Sequence, residues 1–200
     1  REGQLGERVR ARGGAERTGC KGEEGAHDQS RLSKHAFWTV DPLDGTQYFI
    51  DGQDGYATSI ALVGQDGKSI LGVVYDPARD ELYEAVIGQG LKLNGKPLKP
   101  APPEDESSSK TVWYADLSLR DHPQFETIQN HFDVRFAGGA VMNTIQLLRT
   151  WNSCYCRIPK KDLGGCAIWD LAAVALMLEE QSGNARFFDA DPLHLNRSET

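Results

Sequence analysis

At 200 residues, 39% hydrophobic and 26% charged, the chain is long enough to bury one real core, and a single domain is the expectation. A formal net charge of −7 argues against a sequence-independent grip on a nucleic-acid polymer or on anionic lipid, since no basic surface would release counterions. No run approaches the roughly 18 consecutive apolar residues of a membrane span, and the polar start lacks a secretory apolar segment, so the sequence reads as soluble, in the cytoplasm or an organelle.

Residues 1–21 are rich in glycine and basic side chains without an apolar stripe, and are expected to form a poorly ordered arm before a domain spanning 22–200. "AFWTV" (36–40) reads as a buried strand ending on Asp41. In "DPLDGT" Pro42 keeps Asp41 extended, while Asp44, Gly45 and Thr46 can turn and begin a helix. "YATSIALV" (56–63), "ILGVVYDP" (70–77) and "ELYEAVIG" (81–88) are short strands separated by turns, and Asn94-Gly95 in "LKLNGKPL" marks a hairpin. This half, 22–99, is an antiparallel meander.

"PAPPEDESSSK" (100–110) suits an exposed linker. The half that follows, 111–200, alternates: "TVWYADL" as strand, "HPQFETIQNHF" as helix, "VRFAG" as strand, "VMNTIQLLRT" as helix, "CYCRIP" as strand, and "WDLAAVALMLEEQSG" as a helix apolar nearly all round. The pattern predicts an α+β or layered α/β architecture. Cys20, Cys154, Cys156 and Cys166 form no C-x-x-C pair and read as free thiols, which fits a reducing compartment.

Two close carboxylates repel and raise each other's pKa unless a hard cation lies between them, and Mg²⁺ is the natural candidate. "DPLDGT" alone also fits a capped turn with Asp44 as the N-cap residue of the next helix. Asp170, opening an apolar helix, either joins a buried charged site or complements the helix dipole. "GEE" (22–24) by itself reads as a solvated charge run.

"WTVDPLDGTQYF" and "WDLAAVALMLEE" resemble the two signatures of the inositol monophosphatase family, and "GEE", "LGVVYDPARDELYEA", "GQGLKLNGKPL" and "GGAVMN" are similar to that family in the same order. The resemblance implies a layered α/β/α/β sandwich and a Mg²⁺-dependent, typically lithium-sensitive phosphomonoesterase. It implies metal ligation by Glu23, Asp41, the Leu43 carbonyl, Asp44 and Asp170 around two or three Mg²⁺ ions, with Glu23, Asp44 and Thr46 as the catalytic residues. Glu23 and the Thr46 hydroxyl would position the attacking water, and backbone N–H groups of Gly45 and Thr46 would hold phosphate oxygens at a helix start. Gly138, Gly139 and Ala140 resemble a substrate-facing loop, with Asp170 also reaching substrate. The implied reaction is in-line attack by metal-activated water on a small phosphorylated metabolite. A 3'(2'),5'-bisphosphate nucleotide or an inositol phosphate is favoured, and Lys160 and Lys161 are either a solvated pair or a contact for a second phosphate.

Relatives normally begin with long helices ahead of "GEE", and residues 1–21 match none, so the fold is expected without them. The alternative is a truncated or degenerate member that binds metal or anion without turnover. A homodimer is implied by resemblance alone.

Overall fold

The computed structural model describes residues 18–22, 29–100, 110–157, 167–183 and 195. A seven-stranded sheet is built from β1 (Thr18–Gly22), β2 (Ala36–Asp44), β3 (Ala57–Gly64), β4 (Ser69–Asp76), β5 (Glu81–Val86), β6 (Leu91–Leu93) and β7 (Lys96–Pro97), lying side by side in chain order. From β2 onward it is the antiparallel meander expected from the turn-separated apolar runs. The β6–β7 turn uses Asn94 at φ 48° and Gly95 at φ 75°, the paired positive φ that the dipeptide favours.

The arm reading fails at its end. Residues 18–21 are not loose chain but part of β1, which pairs in parallel with β2 from Thr18↔Ala36 to Gly22↔Val40. "TGCKG" has no alternation to announce a strand; its order comes from the free edge of β2, a partner distant from any local signal. The rest of the arm, residues 1–17, lies outside the described residues, as does most of the 100–110 linker.

A second sheet has the order β10–β8–β9, with β8 (Val112–Tyr114), β9 (Asp133–Arg135) and β10 (Ser153–Tyr155). These strands are parallel throughout. The chain between them carries α2 (Phe125–His131) and α3 (Ala140–Arg149), because a parallel step needs a crossover longer than a hairpin.

The two halves share one core. The helix α4 (Ile168–Glu180) lies on the inner face of the meander, where Phe37, Ala61, Val63, Val74 and Tyr83 meet Ala172, Ala173, Leu176 and Met177, all fully or almost fully buried. Small residues let helix and sheet approach: a Cβ on Gly72 would stand 2.8 Å from the Ala173 carbonyl oxygen and 2.9 Å from its Cα. Helix carbonyls facing the sheet are used, the Ser69 hydroxyl donating to Ala172 O at 2.6 Å and Ser59 to Trp169 O at 3.4 Å. That contact fixes the start of α4, and with it Asp170, against β2 and β3. Among the described residues no helix is long and apolar enough to cross a membrane.

Candidate metal centre

Asp41 and Asp44 are three apart on one strand, which in a regular pleat would send them to opposite faces. A bulge prevents this. Opposite β3, Asp41 pairs with Ser59 and Asp44 with Ala57, so three steps on β2 face two on β3. Both carboxylates therefore turn inward, with Asp41 only 2% and Asp44 7% exposed. The strand expected to stop at Asp41 thus continues through the bulge to Asp44.

Local bonds hold the bulge. Asp41 Oδ1 accepts the Leu43 N–H at 3.0 Å, Thr58 donates its hydroxyl to the Pro42 carbonyl at 3.0 Å, and the Thr46 hydroxyl donates to the Leu43 carbonyl at 3.0 Å. Gly45 takes φ 79°, and the short helix α1 (Thr46–Ile50) follows it without a side-chain cap. The capped-turn reading of Asp44 is therefore not what the chain does. Asp44 caps a different helix, accepting backbone N–H groups of Val141, at 3.1 Å, and Met142 at the start of α3.

This long-range cap needs close backbone packing. Gly139 lies directly against the Asp44 carboxylate and the Gly45 nitrogen, leaving no room for a Cβ. Its own N–H donates to Gly55 O at 2.9 Å. Gly55 at φ 118° and Gly138 at φ 151° press against each other. Asn143, fully buried, ties the loop down: its amide nitrogen donates to Ala115 O at 3.2 Å and Gly138 O at 3.0 Å, and its oxygen accepts from Ala137 N–H at 3.0 Å. The resemblance pointed to Gly139 and Ala140 as neighbours of substrate. The structure brings both beside Asp44, with Ala140 5% exposed.

Asp170 arrives from α4. Its Oδ2 accepts the Ala167 N–H at 3.1 Å, so it does complement the helix start, and it also joins the other two aspartates. One carboxylate oxygen each from Asp41, Asp44 and Asp170 lies within 4.8 Å of the others. Arg157 borders the group, with Nη1 3.2 Å from Asp170 Oδ2 and Nε 3.1 Å from Asp116 Oδ2; Asp116 Oδ1 accepts the Tyr155 hydroxyl at 3.0 Å. Burial, then the charges of Asp41 and Asp170, pushes Asp44 up from 3.8 to about 8, against the pull of the Val141 and Met142 amides. A buried carboxyl with two others beside it is a place where a cation relieves both desolvation and repulsion, and hard oxygen donors suit Mg²⁺.

Glu23, Lys160 and Lys161 lie outside the described residues. β1 reaches Gly22 in register with Val40, one residue before Asp41. Sequence reading missed Arg157, Asp116 and Asn143 as parts of the site; only "GGAVMN", which holds Asn143, carried any signal.

The fold and its carboxylate cluster define a layered α+β protein with three acidic side chains, at the junction of sheet and helices, that could hold a divalent cation. The chain belongs to the inositol monophosphatase family, which it matches over residues 11–198. It is 32% identical over 172 residues to a histidinol-phosphatase from Chlorobaculum parvum, covering 82% of this chain and 61% of that protein. It is 33% identical over 152 residues to the Nus factor SuhB of Pasteurella multocida, covering 73% and 54%. Among solved structures, inositol monophosphatase II from Staphylococcus aureus superposes with a TM-score of 0.72 at 28% identity, over 90% of this chain and 68% of that one. The chain thus spans a little over half the length of these two curated relatives.

Proposed function

We propose that this chain is a Mg²⁺-dependent phosphomonoesterase for a small phosphorylated metabolite. One observation carries the reading: three aspartates from two distant segments, two of them buried and one partly buried, converge beside the N-terminus of α3. Membership of a family whose members are Mg²⁺-dependent phosphatases supports it.

Asp41, Asp44 and Asp170 would hold the metal, with the Leu43 carbonyl and Glu23 completing the donors for two or three ions. Bound there, Mg²⁺ would supply activation of water and neutralisation of phosphate charge. The chain's own residues do the positioning. Asp44 is held by two α3 amides, and Asp170 by the Ala167 N–H and by Arg157. The Thr46 hydroxyl, anchored on Leu43 O, stands exposed three residues after Leu43, where it can orient water. Phosphate oxygens would meet the N–H groups of Gly45 and Thr46, and the substrate's alcohol side the Gly139–Ala140 loop and Asp170. A bisphosphorylated nucleotide or an inositol phosphate is the favoured substrate; relatives named for histidinol phosphate and inositol phosphate justify a wider panel.

The test is phosphate release from inositol-1-phosphate, adenosine 3',5'-bisphosphate, fructose-1,6-bisphosphate and histidinol phosphate, with and without Mg²⁺ and Li⁺. Mg²⁺-dependent release from at least one, lost in Asp41→Asn, is expected. A folded sample that releases phosphate from none would overturn the proposal.

A further inference from the structure

A depression of about 440 Å³ is lined by Asp54, Arg79, Tyr114, Arg135, Gln146 and Arg149, among others. None of the three clustered aspartates lines it. It is open to solvent and mostly polar, so it suits a small charged group better than an apolar ligand.

Each guanidinium is braced. Arg79 Nη1 is 2.8 Å from Asp76 Oδ2, and its Nη2 3.2 Å from Asp54 Oδ2. Arg149 Nη1 donates to Glu81 Oε2 at 2.6 Å and to the Tyr83 hydroxyl at 2.7 Å. Arg135 donates from Nε and Nη2 to Asp133 Oδ2 at 3.0 and 2.7 Å. Asp76, Glu81 and Asp133 are not part of the cavity wall, which carries three guanidinium groups against the single carboxylate of Asp54. The carboxylate braces occupy one nitrogen of Arg149 and two each of Arg79 and Arg135, and Arg135 also bonds Tyr114; a guanidinium has five N–H donors, so donors remain on every fork. Forks already oriented lose little freedom on meeting an anion, and their planar geometry matches phosphate oxygens. With Asp54 counted, four carboxylates are paired to the three guanidinium groups, so an anion would be held by directed N–H donors and not by net positive charge, which limits the affinity.

We propose that this cavity is a second anion site, taking a phosphate group either as orthophosphate or on a small phosphorylated metabolite. It is independent of the proposed activity.

The experiment titrates inorganic phosphate into the full chain in EDTA, following ¹⁵N-labelled arginine Nε resonances by NMR. Without divalent cations the clustered carboxylates of the metal centre repel phosphate, so binding there does not compete. Saturable binding is expected, weakened about tenfold by Arg135→Gln, as loss of a charge-assisted contact implies, less by Arg135→Lys, and unchanged by Asp41→Asn. Arg135 is the most exposed of the three, its side chain 53% accessible, so its substitution leaves the fold in place. AMP is the second probe: tighter binding than orthophosphate identifies a phosphorylated metabolite as the ligand, and equal binding identifies orthophosphate. Three results would each overturn the site. One is no saturable binding, with Arg135→Gln changing only stability, which leaves an ion-pair network. Another is binding lost in Asp41→Asn but kept in Arg135→Gln. The last is a change in sedimentation on Arg135→Gln without phosphate binding, which makes the face an interface between copies.

Discussion

Asp44→Asn is predicted to stabilise the metal-free protein at neutral pH while destroying its response to Mg²⁺. Asparagine keeps an oxygen for the Val141 and Met142 amides and nearly the same volume, and removes only the charge. Asp44 stands at about 8 in the folded chain against 3.8 when solvated. Between those values the native state holds a proton that the unfolded state has released, so Asp44's contribution is most favourable below the lower value and declines as pH rises through the upper one. At pH 7 the penalty is about 1.4 kcal/mol per pH unit over roughly three units, about 4 kcal/mol, an upper bound because Asp41 and Asp170 share the titration. Asp44→Asn should therefore be about 2–4 kcal/mol more stable than wild type in EDTA at pH 7, and the difference should shrink towards pH 4. In Mg²⁺ wild type gains stability by linkage and the variant gains little. Urea denaturation followed by circular dichroism, from pH 4 to 9 with EDTA or Mg²⁺, measures both. A variant less stable than wild type in EDTA at pH 7 would show that Asp44 is not held against its charge. An equal Mg²⁺ gain in both proteins would show that Asp44 is not a ligand.

Two further substitutions probe the framework. Gly72→Ala drives a methyl onto the backbone of Ala173, where no flexible side chain can yield, so denaturation should show a loss of about 1–3 kcal/mol; an unchanged midpoint would mean that α4 does not press on β4 as described. Arg157→Gln removes a cation beside Asp170 and should tighten Mg²⁺ binding several-fold by calorimetry; weaker binding would mean that Arg157 serves more to orient Asp170 than to repel metal.

Much of the framework was legible because it is written locally. The meander follows from β-branched runs between turn residues, the hairpin from Asn94-Gly95, and α4 from an unbroken apolar run with an aspartate near its start. Asp41, Asp44 and Asp170 could be selected as candidates because carboxylates next to apolar segments are costly, and the resemblance placed them in one site. β1 was not legible, since a glycine-rich pentapeptide has no period of its own and is ordered only by the edge of β2. Arg157 and Asn143 were equally hidden; an arginine after a strand and an asparagine within a helix say nothing until their partners are in place.

Alone, the sequence determined most of the strands and helices, though not β1, and which acidic residues were candidates, because both depend on neighbours within a few positions. The tertiary structure decided that the carboxylates meet. Two aspartates three apart reach one face only through a bulge whose register is set by β3. Asp44 becomes a cap only because α3 comes in from nearly a hundred residues away, through glycines that leave space for it. Convergence of charge is a property of distances between segments, and those distances exist only once the sheet and helices have packed.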